Sequence, residues 1–124
     1  MIQINPIKYY EVNGVPCPLF TACSNQTAGT NRTILTGVSG KIIRVMGDKT
    51  QGIGAGGSIL FKAGSGGSVI ISHSVPDVAA GRPYDNPVID AGYYELTSGV
   101  GLFADINTVS IDVQVSYIIY TPET

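Results

Sequence analysis

Val109-Ser110-Ile111-Asp112-Val113-Gln114-Val115-Ser116-Tyr117-Ile118-Ile119-Tyr120 alternates apolar and polar side chains over most of its length. Successive residues of a β-strand point to opposite faces, so Val109, Ile111, Val113, Val115, Tyr117 and Ile119 would build a buried face. Ser110, Asp112, Gln114 and Ser116 would then form the outer one. From Tyr117 to Tyr120 both parities are apolar, and the outer face of that end needs a cover. The N-terminal segment or a neighbouring subunit would supply it. Twelve residues at about 3.3 Å each span about 40 Å, long for so small a domain, so a bulge or a protruding end is expected.

The rest of the chain repeats this period in shorter pieces. Arg32 to Gly37, Lys41 to Met46, Ser58 to Ala63, Ser68 to Ser74, Tyr93 to Thr97 and Leu102 to Ile106 read as strands. Each is rich in β-branched or aromatic residues and is bounded by turn formers such as Ser39-Gly40, Gly64 through Gly67 and Ser98 through Gly101. No segment carries a helical period. Short strands at regular spacing predict an all-β sandwich or barrel of about eight antiparallel strands.

Two regions depart from the pattern. Residues 1–31 hold Pro6, Pro16, Pro18 and the pair Tyr9-Tyr10, followed by the polar run Ser24 to Asn31. They read as an extended N-terminal arm or edge strand followed by a flexible loop, ahead of a sandwich over residues 32–124, the whole being one structural domain. Residues 76–92, with Pro76, Pro83 and Pro87, read as a long loop.

Composition narrows the function. Nine acidic and seven basic side chains give a net charge of −2 over 124 residues, and the basic ones form no run. Nucleic acid is therefore not an expected partner. No apolar stretch approaches the roughly 20 residues that cross a bilayer, so no membrane partner is expected. The first residues, Met1 to Pro6, lack the basic and apolar parts of a secretory signal. Cys17 and Cys23 are too few for a structural zinc site and read as free thiols, with a short disulfide loop as the alternative.

Catalytic motifs are thin. Gly52-Ile53-Gly54-Ala55-Gly56-Gly57 matches GxGxxG, but the dinucleotide site needs a helix after the turn, and Ser58-Ile59-Leu60-Phe61-Lys62 continues as a strand. His73 is the only histidine, and its neighbours Ser72 and Ser74 point to the opposite face of their strand. Asp77, Asp85, Asp90 and Glu95 follow no spacing rule for paired carboxylates. Asp85-Asn86 with Asp90 read as turn formers before a calcium loop. Asn25-Gln26-Thr27 and Asn31-Arg32-Thr33 match the glycosylation sequon, which has no weight without a secretory signal. No catalytic residue, cofactor or metal is expected, and the chain reads as a non-enzyme.

A set of segments resembles small virion proteins of tailed bacteriophages: Val38-Ser39-Gly40-Lys41-Ile42-Ile43-Arg44-Val45, Leu60-Phe61-Lys62-Ala63-Gly64, Asn86-Pro87 with Ala91-Gly92-Tyr93-Tyr94-Glu95-Leu96-Thr97, and Gly99-Val100-Gly101-Leu102. The resemblance covers roughly residues 33 to 121. It implies a jelly-roll-like sandwich acting as a capsid decoration or cement protein. The implied partner is the major capsid protein, the implied state a homotrimer, and the implied place the capsid surface of a virion assembled in the bacterial cytoplasm. Arg82-Pro83-Tyr84-Asp85 and the N-terminal extension depart from that pattern.

The alternative is a receptor- or carbohydrate-binding module of a head fibre or tail, with Tyr84, Tyr93 and Tyr94 as contacts. Partner contacts are expected at Tyr9, Tyr10, Leu19 and Phe20 of the arm, at Tyr84 of the long loop, and at Ile118 and Tyr120 of the final strand. Core packing is the competing reading for the arm residues.

Overall fold

A computed structural model describes residues 8–77, 79 and 82–122. It contains eleven strands: β1 (Tyr9–Val12), β2 (Val15–Pro18), β3 (Phe20–Gln26), β4 (Gly29–Leu35), β5 (Ile42–Gly52), β6 (Gly57–Ala63), β7 (Val69–Val75), β8 (Tyr84–Asn86), β9 (Tyr94–Glu95), β10 (Leu102–Asn107) and β11 (Ile111–Tyr120). One sheet has the order β4-β10-β6-β7 and the other β3-β11-β5-β8, with β9 also pairing β5. Every pairing between these strands is antiparallel. Eight strands in two four-stranded layers, with the last two inserted at the second position of each, is the order of a jelly roll. The described residues hold eleven strands against the expected eight or so: the expected strand Tyr93 to Thr97 is the short β9, whereas β3 and β8 of the sandwich and the pair β1-β2 were not among the expected strands.

The core lies between the layers. Ile43, Val45, Ile111, Val113 and Val115 from one sheet meet Leu35, Ile59, Phe61, Val75, Leu102, Ala104 and Ile106 from the other. The alternation in β11 is as expected, with Ile111, Val113 and Val115 inward and Asp112 and Gln114 half-buried on the outside. The expected bulge falls on the partner strand: Ser116 pairs Gly47 but Tyr117 pairs Val45, which leaves Met46 as the extra residue of β5.

The Gly-rich segment 52–57 is an inter-sheet crossing, and its first and last residues are needed for backbone approach. A Cβ on Gly52 would lie 2.2 Å from the Ala55 carbonyl oxygen, and one on Gly57 would lie 2.6 Å from that of Asn107. No helix follows; β6 does.

Three expectations need correction. Residues 9–18 of the expected arm form a β-hairpin, turning at Asn13-Gly14, both at positive φ, 51° and 79°, while residues 1–7 of that arm lie outside the described residues. That dipeptide fits the type I′ turn, whose twist matches the flanking strands. The polar run 24–31 is not a flexible loop: it spans the end of β3, a two-residue turn and the start of β4, so residues 20–35 belong to the sandwich. Finally, residues 84–86 within the expected long loop form β8, which pairs with Thr50, Lys49 and Asp48.

Candidate functional site

The outer face of the β3-β11-β5-β8 sheet carries a docked hairpin at one end and an open groove at the other. Its two ends differ in chemistry because the outer parity of β11 changes from polar to apolar. At the apolar end the hairpin β1-β2 lies on the sheet, and Tyr10, Cys17, Met46 and Ile118 form a second small core, with Val12, Leu19 and Tyr120 packed around it. This is the cover that the doubled apolar pattern called for, and it comes from the chain itself. Ile118 is fully buried and Tyr10 is 8% exposed, so neither is open to a partner while the hairpin is docked. Leu19 and Tyr120 are half-buried in the same seam.

The other candidate residues lie elsewhere. Tyr9, Val15 and Phe20 are exposed on the hairpin and at its exit into β3, at 56%, 59% and 45%. Phe20 has its ring centroid 5.6 Å from that of Tyr117. Val15 was not singled out from the sequence, although its place after Asn13-Gly14 marks it as the first residue of a returning strand.

Tyr120 closes a charged clasp at the edge of the seam. Its hydroxyl donates to Glu95 Oε2, and the Arg44 guanidinium donates to Glu95 Oε1 at 2.7 Å while lying over the Tyr120 ring. Burial alone would raise the Glu95 carboxyl, but the Tyr120 and Arg44 hydrogen bonds and the Arg44 charge outweigh it and hold the pKa below its ordinary value.

At the polar end a groove of about 440 Å³ runs over the sheet, lined by Cys23, Asn25, Lys49, Gln51, Asp112 and Gln114, with Pro83 at its side. Asn25 Nδ2 donates to Asp112 Oδ1 at 2.9 Å. Lys49 and Gln114 also border a depression of about 270 Å³ that reaches Asp85 and Ser116. The outer parity of β11 signals Asp112, Gln114 and Ser116; Lys49 and Gln51 were hidden by the bulge.

Tyr84, Tyr93 and Tyr94 do not form one platform. Tyr84 stacks on His73 with centroids 3.8 Å apart and planes 12° from parallel. Tyr93 is exposed and its hydroxyl donates to the Pro87 carbonyl oxygen at 2.6 Å. Tyr94 is half-buried, its hydroxyl is buried without a partner among the described residues, and burial pushes that hydroxyl well above the ordinary tyrosine pKa.

Inside the sandwich, below the groove, lies a polar pocket of the core. Asp48 and Thr50 pair across from Val115 and Val113 and so share their inward face. Both are buried, and the Thr50 hydroxyl and His73 Nε2 have no partner among the described residues. Asn86 Nδ2 donates to the Asp48 carboxylate at 3.3 and 3.4 Å. Burial is the largest influence on Asp48 and raises its pKa above the ordinary 3.8, against the smaller opposing effects of Asn86 and the His73 charge.

A raised carboxyl pKa means that the folded state holds the proton more tightly than the unfolded chain. Stability on this account is gained as pH falls through the folded-state pKa and is lost above it. Asp48→Asn keeps the acceptor for Asn86 and removes the charge. We expect it to stabilise the protein at pH 7 by on the order of 1 kcal/mol, with the advantage shrinking as pH falls through the raised folded-state pKa of Asp48. Glu95 and Asp105 have depressed pKa values and pull the total in the opposite direction. The difference between variant and wild type in urea melts across pH isolates Asp48; a pH-independent difference would count against it.

Among the described residues no three His, Cys, Asp or Glu side chains gather in metal-ligating range, and no helix is long and apolar enough to cross a membrane. Cys17 is buried and Cys23 exposed, both as free thiols. No protein-family model matches the chain, and the comparison with curated proteins finds no match.

Proposed function

We propose that this chain is a structural protein of a tailed-phage virion, a decoration or cement protein that binds the outside of the capsid through its N-terminal hairpin and reinforces the head. The observation that carries the reading is the placement in solvent of Tyr9 and Val15, on a hairpin already anchored by Tyr10 and Cys17, and of Phe20 at its exit into β3. Apolar and aromatic side chains held on a rigid element lose little entropy on docking, which is what an interface anchor requires. The jelly-roll strand order and the segments resembling small virion proteins support the same reading. The major capsid protein is the proposed partner, and a symmetric homo-oligomer would bridge neighbouring capsid subunits, adding modest contacts through effective concentration.

The triple variant Tyr9→Ser, Val15→Ser, Phe20→Ser tests the docking surface. We expect it to fold, because all three side chains are exposed, and to lose at least tenfold in co-sedimentation with heads that lack the decoration protein. Undiminished binding would remove the hairpin from the interface.

A receptor- or carbohydrate-binding role is the second reading. It is favoured by the groove of amide, carboxylate and ammonium groups over Asn25, Lys49, Gln51, Asp112 and Gln114, an array suited to hydroxyl-rich ligands. Hits on a glycan array that vanish with Gln114→Ala, without binding to heads, would favour it over the capsid reading.

A further inference from the structure

We infer that the free edge of β3 is a self-association surface, on which two copies of this chain pair antiparallel about a two-fold axis at Cys23. The inference does not rest on the capsid reading: it is argued from the open edge of β3, although Phe20 also belongs to the hairpin strip and Cys23 and Asn25 to the groove wall. β3 is the outermost strand of its sheet, and its only strand partner among the described residues is β11. Its register with β11 runs unbroken from Gln26 opposite Ile111 to Phe20 opposite Tyr117. Phe20-Thr21-Ala22-Cys23-Ser24-Asn25-Gln26 contains no charged residue, no proline and no glycine.

Natural edge strands are blocked by charges, prolines, bulges or shortness, because an open row of N–H and C=O groups is a template for another strand. The other three sandwich edges carry such devices. β4 bears Arg32 and shifts register twice against β10, β7 shifts against β6, and β8 has three residues with Asp85 in the middle. β3 alone is regular, uncharged and unblocked.

The occupant follows from the composition of the strand. With the axis at its central residue, Cys23 faces Cys23 of the partner subunit, Ala22 faces Ser24 of the partner subunit, and Thr21 faces Asn25 of the partner subunit. At these positions small faces small and polar faces polar, Phe20 and Gln26 of the partner subunit meet only at the ends, and no like charges meet, so the central part of the edge is complementary to itself. Thr21, Cys23 and Asn25 stand opposite the outward Ser116, Gln114 and Asp112, which puts the cysteine on the open side of the sheet. Residues directly opposite in an antiparallel pair have Cα atoms about 4.5–5.5 Å apart, inside the range a disulfide spans.

The test uses the full chain. Light scattering at high micromolar concentration should give twice the mass of one chain under reducing conditions. Treatment with diamide, a diazene oxidant that takes two electrons and two protons from the paired thiols, should convert most of the protein to a covalent dimer on non-reducing gels. Cys23→Ser should keep the non-covalent dimer and lose the cross-link, whereas Cys17→Ser should keep both. Cys23→Lys, at the same exposed position, sets two ammonium groups opposite each other and should weaken the dimer at least tenfold while leaving the circular dichroism spectrum unchanged. A monomer mass with no Cys23 cross-link would overturn the inference. So would a dimer or trimer that Cys23→Lys leaves intact.

Discussion

Replacing Ile118 by lysine should lift the N-terminal hairpin from the sandwich and lower stability by roughly 3–5 kcal/mol, the range for stranding a charge in an apolar site. Ile118 has no exposure and is enclosed by Tyr10, Cys17 and Met46. Directly across the strand pair stands Arg44, whose guanidinium is already bound to Glu95. A second cation there meets repulsion.

The protein has one escape, which is to expose the site by undocking residues 8–18. The penalty is therefore capped at the free energy of hairpin docking, and the sandwich underneath should persist. Ile118→Val, which removes one methylene from the same site, should cost only about 0.5–1.5 kcal/mol. Urea melts measure both losses, and limited proteolysis locates them: cleavage should concentrate in residues 8–18 of the lysine variant. If the hairpin presents the capsid-docking strip, head binding should fall with it. A lysine variant with wild-type protease resistance would show that the seam does not hold the hairpin.

The same seam marks how far the sequence could be read. The apolar residues Ile118 and Tyr120 on the outer parity of β11 stated that a cover exists, because a strand leaves no other explanation for apolar side chains on both faces. Its form was also encoded, in Asn13-Gly14, but Pro16 and Pro18 suggested an extended arm. Both prolines are compatible with β2 because among the described residues it pairs only with β1, and a strand with one free side can place a missing N–H there. The polar run 24–31 misled for a related reason: an edge strand with one open face needs few apolar residues, so its composition resembles a loop.

The interior polar pocket was not legible at all. Up to Val45 the odd residues of β5 face the core; after the extra residue Met46 the even ones do, so Asp48 and Thr50 turn inward where strict alternation would put Lys49. A bulge is set by packing against Ser116 and Tyr117 of another strand, and no local pattern announces it. Nor does sequence bring His73 to Tyr84, since these sit on the edges of different sheets. The carboxylate spacing offered no catalytic pair and was silent about Asp48, the carboxylate that the fold buries among the described residues.

Phe61→Ala should be the most damaging substitution in the sandwich core, costing about 3–5 kcal/mol. Phe61 is the largest of the fully buried side chains, and it stands at the centre of β6 between Ala104 on one side and Ile71 on the other. Its neighbours are fixed to two sheets, so they cannot close over the space that alanine leaves. The cavity cost then adds to the lost transfer energy. Domains of this size are stable by about 5–15 kcal/mol, so the loss is a large share of the whole.

The damage should also reach the polar pocket, because the Phe61 ring lies 6.1 Å from His73, which in turn stacks on Tyr84. Without that wall His73 can reorient, and water gains a path to Asp48 and Thr50. Hydration of Asp48 relieves the burial that raises its pKa, so the stabilising effect of Asp48→Asn at pH 7 should shrink in the Phe61→Ala background. A double-mutant cycle in urea at pH 7 reads this coupling directly. Strict additivity of the two substitutions would mean that the aromatic wall and the buried carboxylate are energetically separate, and that some other side chain keeps water from Asp48.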